Sequence, residues 1–349
     1  MPELHVISTG PARVTDLGRP AAHLGFSNHG ALDEEAARSA NALVGNADEA
    51  PLIEAMGAGI ALRPTLDQVI AVTGAHAHLF VAGRPAPMWS AQHVRPGDLV
   101  EVRSIGPGLR IYVSVLGSLE AARALGSCAP DPVLQVGEQV VPGRSLRLLA
   151  HVRPRRSDFG SPLLRLNAAA PHRPRTVEIE VTPGPDAGAF GRDLALLYGR
   201  PFTMSHLSDA VGLRFAGPIP RAERGTELVS AGVPIGALEV PGGDHIIVLH
   251  RGRGVTAGYP VPAVVTRDGL DRLAQLRPGE CVHFTHGSVS TSVARYRRAR
   301  REIEHLRSRA RTVLHRQFEI RAATAGGTDW FAAPAPAVKG ITHDLPCTT

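Results

Sequence analysis

The side chains able to do chemistry fall in a few short segments. In Thr15-Asp16-Leu17-Gly18-Arg19-Pro20 a carboxylate and a guanidinium stand three apart in a glycine-bearing turn. Such a pair can orient a substrate carboxylate or phosphate through the guanidinium fork, or it can be an ion pair that only fixes the turn. Asp33 opens an alanine-rich amphipathic stretch, the place of a helix N-cap, and can alternatively face a ligand. Asn41, a polar residue on that same helix, is a hydrogen-bonding group for a ligand or for buried structure. Glu54 follows Leu52-Ile53 and reads as a general base in a pocket or as a carboxylate at a strand end.

In the second half, Ser208-Asp209 with Arg214 places a hydroxyl, a carboxylate and a guanidinium within one loop and strand. His206 suggests a Ser–His–Asp nucleophile. In an extended segment, however, Asp209 points away from the face shared by His206 and Ser208, so no carboxylate orients the imidazole. His76-Ala77-His78 sets two imidazoles on one strand face, the start of a metal pair, but no third ligand is near and two structural histidines are the expectation. Arg251-Gly252-Arg253-Gly254 reads as a charged hairpin tip, with an anion-binding turn as the alternative.

What is absent narrows the chemistry further. Lys339 is the only lysine of 349 residues. A Schiff base, a phosphate-loop lysine, a lysine base and a biotin attachment site are therefore disfavoured. No Gly-x-x-x-x-Gly-Lys-Ser/Thr loop and no Gly-x-Gly-x-x-Gly opening a helix occurs. Cys128, Cys281 and Cys347 are odd in number and far apart, against a disulfide framework or a cysteine zinc site. No apolar run approaches the roughly 18 residues needed to span a bilayer, and Met1 to Val6 lacks the pattern of a signal peptide. A reducing, cytoplasmic setting is the expectation. The net charge is +6, yet nine Arg and two Glu lie between Arg295 and Arg316. The remainder, 29 basic and 30 acidic residues, is near neutral, so nucleic acid is an unexpected partner.

The elements that must position these residues are mostly strands, because 37 Gly and 29 Pro stand beside 4% aromatic residues. Val69 to Gly74 is a buried strand, and Leu79–Val81, Leu99–Arg103 and Leu109–Val115 follow with turns between them. One helix interrupts them, from Asp33 to Val44. Val177–Val181 and Ile246–Leu249 restart the strand rhythm. Val94-Arg95-Pro96-Gly97-Asp98 and Leu276-Arg277-Pro278-Gly279-Glu280 each lead from a turn into a strand and hint at two related barrels. The spacing of Val293, Tyr296, Ile303, Leu306, Ala310 and Val313 predicts a basic helix. That helix either packs on the barrel before it, its Arg face solvated, or docks a partner or a second copy. The expected division is a first β-barrel over 1–151, a linker over 152–175, a second barrel over 176–289, the helix over 290–321 and a flexible tail over 322–349.

Several segments together resemble one family, the C-type subunit of 5-oxoprolinase (kinase-inhibitor-antagonist type), which is similar to the second carboxyltransferase half of urea carboxylase. They are Asp16-Leu17-Gly18-Arg19-Pro20, Gly30-Ala31-Leu32-Asp33, Ala40 to Asn46, Glu54, Val72-Thr73-Gly74-Ala75, Gly108 to Tyr112 and Leu125-Gly126-Ser127. Ser208-Asp209, Gly212-Leu213-Arg214 and Gly258-Tyr259-Pro260 continue the match, which runs over residues 3–288 in order. The resemblance implies a mainly β (α+β) chain of two cyclophilin-like β-barrels with a C-terminal helix. It implies ATP-dependent hydrolysis of 5-oxoproline to glutamate, carried out with a B-type sister protein and a third, lactam-handling subunit. ATP enters by this resemblance alone. The site it implies has Asp16, Glu54 and Asp209 as catalytic groups and Arg19, Asp33, Asn41, Ser208, Arg214 and Tyr259 as substrate-binding groups, with no metal. The chain departs from the family at Thr15, Cys128, Ala210-Val211, Ala231, Glu239 (a Gln in the family) and Gly252 to Ala257. A diverged cyclase or amide-bond enzyme, or a non-catalytic scaffold, is the alternative.

Overall fold

A computed structural model describes residues 1–155, 166–171, 177–223 and 228–323. Its first unit packs two six-stranded sheets face to face. One runs Ser145–Arg147, Glu3–Thr9, Ile60–Pro64, Val100–Arg103, His78–Val81 and Arg84–Ala86 in spatial order. The other runs Glu138–Gln139, Ala12–Thr15, Leu52–Met56, Arg110–Val115, Gln68–Gly74 and Ala91–Val94. Alternate residues of both sheets, among them Leu4, Leu62, Val102, Ile53, Val72 and Val113, meet in one core. Gln68–Gly74 is buried along its whole length. Ile70 and Val72 enter that core, while Val69 and Ala71 face outward under helices, which is why the strand reads as an unbroken apolar run.

Helix α1 (Glu34–Leu43) starts at the expected N-cap, where Asp33 accepts a hydrogen bond from the Ala36 N–H. Its small residues Ala36, Ala37 and Ala40 sit close against Leu52, Trp89 and Tyr112. The second unit is a closed seven-stranded barrel. Its order is Val177–Pro183, Ala263–Val265, Ala237–Glu239, His245–Leu249, Gly212–Ala216, Phe202–Met204 and Cys281–His286, and the last strand pairs in parallel with the first. Phe202, Phe215 and Phe284 fill the barrel, capped by Leu197 of helix α2 (Leu196–Gly199) and by Leu270 and Leu273 of helix α3 (Arg267–Leu273). The mainly β expectation with a terminal helix holds, although only the second unit closes as a ring of hydrogen bonds.

The paired turns share one wiring. Arg95 O accepts from Asp98 N at 3.1 Å and Arg277 O from Glu280 N at 3.0 Å. The Asp98 and Glu280 carboxylates each accept from the turn's first N–H, at 2.8 and 2.9 Å. Gly97 and Gly279 have φ of 83° and 88°, making both type II turns.

Helix α4 (Val289–Gln317) departs from expectation. Only its first turns touch the barrel that precedes it, where Arg295 pairs with Glu180 and Asp268; its apolar stripe lies elsewhere. Ile303, Leu306, Ala310 and Leu314 pack on Leu43, Val44, Val69 and Leu116 of the first unit. The chain then continues as a strand, Phe318–Ala322, which pairs with Ala150–Pro154. The helix therefore ends short of the expected residue 321, because alternating Phe318 and Ile320 suit a ladder better than a helix. The strand Ala150–Pro154 likewise runs past the expected boundary at residue 151. The tail from residue 324 lies outside the described residues. Among the described residues no helix is long and apolar enough to cross a membrane.

Candidate functional site

The first-unit candidates are all buried but fall in separate hydrogen-bonded groups: Glu54 with Asp33 through Tyr112, Asn41 apart from them, and Asp16 and Arg19 on the 127–131 segment. Strand register places Glu54 between Arg13 and Tyr112. Its carboxylate accepts from Arg13 at 2.7 Å, from the Tyr112 hydroxyl at 2.9 Å and from Leu32 N at 3.3 Å, and the residue is 1% exposed. Burial alone would raise the Glu54 pKa, yet Arg13, Arg110 and the Tyr112 bond together hold it below the usual carboxylate value. The Tyr112 oxygen also accepts from Asp33 N at 3.0 Å. Asn41 is fully buried: its amide donates to Asp48 O and Ala50 O, and its oxygen accepts from Ser114 at 2.6 Å.

Asp16 and Arg19 do not pair with each other, contrary to the pairing expected from their spacing. Asp16 accepts from Gly18 N at 2.8 Å, Ser127 Oγ at 2.5 Å and Cys128 N at 2.8 Å. Arg19, with no exposed surface, donates to Asp131 at 2.9 Å and to Ala129 O at 2.5 Å. The turn between them points the two side chains at successive parts of the 127–131 segment, so each fastens a loop. The loop closes on itself at Gly18 and Gly30 (φ 87° and 91°), where a Cβ would lie within 2.5 Å of backbone atoms.

This loop meets the second unit. His29 N donates to Arg251 O at 2.8 Å and Ser27 to Arg253 O at 2.6 Å. Arg251 and Arg253 are 2% and 5% exposed, so the expected solvated hairpin tip is instead a buried seam. Arg251 binds Glu34 at 2.5 Å, and Arg267 and Arg38 reach the same carboxylate. Burial opposes its charge, but Arg251, Arg267 and Arg38 carry the Glu34 pKa down to about 2. Asp271 accepts from Glu34 N at 2.8 Å; burial, Asp33 and Glu34 push its carboxyl well above the usual range. Gln275 completes the seam, accepting from Leu109 N and Arg110 N and donating to Asp33 at 2.7 Å.

The second-unit candidates stand on the outer face of the closed barrel. Ser208 Oγ is engaged by the backbone of Arg214, and Asp209 caps the N–H groups of Val211 and Gly212, so neither joins His206 in a triad. Arg214 is half-buried and its Nη1 lies 2.9 Å from His245 Nε2. Tyr259 is 41% exposed. Register aligns Arg214 with Ile247 and Ile247 with Glu239, one row on the same face of three neighbouring strands. Leu238 points the other way, into the barrel. Glu239 is 3% exposed, its Oε1 has no hydrogen-bond partner, and burial raises its pKa to about 7.

Sequence reasoning registered Glu239 only as a substitution. A lone carboxylate in Ala237-Leu238-Glu239-Val240 was the signal that could have singled it out. A carboxyl that changes charge near neutrality, in line with a guanidinium, can move a proton beside a held anion. Arg214 is the one guanidinium on these three strands, so the row does not fit a triphosphate. His76 and His78 are both exposed, and among the described residues no three His, Cys, Asp or Glu stand as a metal-binding group.

The family model of the carboxyltransferase domain, subdomain A and B, matches residues 24–286. The chain is 30% identical over 294 residues to the C-type subunit of 5-oxoprolinase from Haemophilus influenzae, covering 84% of this chain and 93% of that one. It is similar to the crystal structure of TTHA0988, with a TM-score of 0.71 and 34% identity over 82% of this chain, and it spans only 56% of that protein. The urea amidolyase of Kluyveromyces lactis shares the fold, with a TM-score of 0.77 at 22% identity, and this chain spans 20% of its length.

Proposed function

The chain belongs to the carboxyltransferase-domain family as a homologue of the C-type component of 5-oxoprolinase, and from that premise we propose that it is one subunit of an assembly that opens the lactam of 5-oxoproline to glutamate. The observation that carries this reading is the Arg214–Ile247–Glu239 row. Arg214 would neutralise the substrate carboxylate or the charge developing on the lactam oxygen. Glu239, protonated about half the time near pH 7, would give its proton to the ring nitrogen as the C–N bond breaks and water adds to the carbonyl carbon. Asp16, Arg19, Glu54, Asp33 and Asn41 would act from behind, holding the loops that join the two units. A B-type sister protein and a third, lactam-handling subunit would complete the site, and ATP would bind on that assembly rather than on this row.

The test is reconstitution of the full chain with those two partner proteins, ATP and 5-oxoproline. Glutamate and ADP should form together, and Arg214→Gln, which removes the guanidinium of the row, should lower kcat/KM by about tenfold or more. No glutamate from the intact assembly sinks the reading. The reverse result, ATP-dependent formation of an amide or lactam from glutamate, would point to a diverged cyclase, the reading favoured by the changed residues Ala210 and Val211.

A further inference from the structure

A second group of polar side chains lies far from that row in sequence and draws on a helix beyond the residues matched to the family. Helices α1, α3 and α4 border an open cleft of about 220 Å³. Six guanidiniums line its wall, Arg38 from α1, Arg267 and Arg272 from α3, and Arg295, Arg298 and Arg300 from α4; Arg38, Arg267 and Arg300 are the one from each helix that belong to the buried cluster below. These three belong to a larger cluster with Arg251 and Arg307, and among the described residues the five form ion pairs with Glu34, Asp48 and the exposed Glu304. Along the cleft wall six guanidiniums face five carboxyl groups, and burial pushes two of these, Glu35 and Asp271, toward the neutral form, so the balance is positive. Burial, with Arg311 and Arg38 adjoining, lowers the Arg307 pKa to about 10, and burial and Arg38 lower that of Arg300. Arg38 Nε, Arg267 Nε and both Nε and Nη2 of Arg251 are buried with no hydrogen-bond partner. Donors left in that state cost free energy unless an acceptor reaches them.

The geometry points to a binding site in this cleft for a phosphate group, free or on a small molecule, held by Arg38, Arg267 and Arg300. A carboxylate offers two oxygens in one plane, which a single guanidinium fork satisfies. Three forks arriving from three helices instead match a tetrahedral oxyanion with acceptors on several sides. Glu35, on the cleft wall, supports the same ligand class. Burial, Asp33 and Asp268 raise its pKa, which weakens its opposition to an anion in the cleft. The Tyr296 ring, under Arg267 at 5.5 Å, leaves an apolar side for whatever the phosphate is attached to.

The site is independent of the lactam reading and is tested without substrate. The full chain is titrated calorimetrically with inorganic phosphate and with glycerol phosphate at constant ionic strength, chloride serving as the reference. At least one of the two phosphates should bind saturably; the tighter one tells a free ion from a phosphorylated metabolite. Arg300→Gln should weaken binding by about tenfold or more, the effect of losing one charge-assisted contact. Arg301→Gln, exposed on the same helix and off the cleft, should leave affinity unchanged. Should the Arg300→Gln chain fail to fold, Arg38→Lys, which keeps the charge and removes the fork, should weaken binding severalfold. No heat beyond the chloride reference with either phosphate, or undiminished affinity in the folded cleft variant, overturns the site.

Discussion

At the residue scale, the buried carboxylates differ in fate because their neighbours differ. Glu54 is surrounded by donors and stays charged, whereas Glu239 has none and titrates near neutrality. Tyr112→Phe removes the hydroxyl that serves both Glu54 and Asp33 N, and it should cost about 1–3 kcal/mol of stability by denaturant unfolding. Glu239 has its folded pKa raised from 4.5 to about 7, so the folded state binds the extra proton between those values. Its contribution is present below pH 4.5 and lost as pH rises through 7. Glu239→Gln should therefore gain stability over the parent at pH 8, on the order of 2 kcal/mol, with the gain shrinking toward pH 5. Equal pH dependence of melting in both chains would contradict this.

At the element scale, α4 unites an apolar stripe that completes the first unit with an Arg face that is partly spent. Arg295, Arg300, Arg307 and Arg311 bond within the chain, while Arg297, Arg298, Arg301, Arg309 and Arg316 are exposed. Leu314→Ala should destabilise the chain by about 2–5 kcal/mol, and Arg301→Gln by no more than about 0.5, in thermal or chemical unfolding. The helix itself was legible: its period-3.6 spacing marked its start to within a residue and placed Ile303, Leu306 and Ala310 in the buried stripe, while Val293 and Tyr296 are exposed and Leu314 is buried in place of Val313. So were the cap at Asp33 and both proline-glycine turns, whose residues fix their own backbone. What α4 packs on was not legible, because periodicity defines a face and says nothing of the surface that receives it. Nor were the partners of Arg19: Asp131 lies 112 residues away, and a local spacing rule reaches only as far as Asp16.

At the scale of the whole molecule, the two units are joined by buried polar contacts. Gln275 serves Leu109, Arg110 and Asp33 together, and Arg277 reaches Gly108 O at 2.8 Å. Gln275→Leu should cost about 3 kcal/mol by stranding two backbone donors. It should also loosen the coupling, so that the calorimetric enthalpy exceeds the van't Hoff value, whereas the parent unfolds in one transition. A single transition in the variant as well would place the coupling in α4 and the remaining seam contacts, such as Arg251 with Glu34 and His29.

The pairing of Ala150–Pro154 with Phe318–Ala322 carries a further consequence for biosynthesis. The flank of the first unit formed by Leu43, Val44, Val69 and Leu116 stays bare until some 160 more residues have left the ribosome. At roughly 5–20 residues per second, that wait lasts on the order of ten to thirty seconds. A nascent chain in that interval presents an oily strip to water, and holding factors that recognise such strips become part of how this protein reaches its shape.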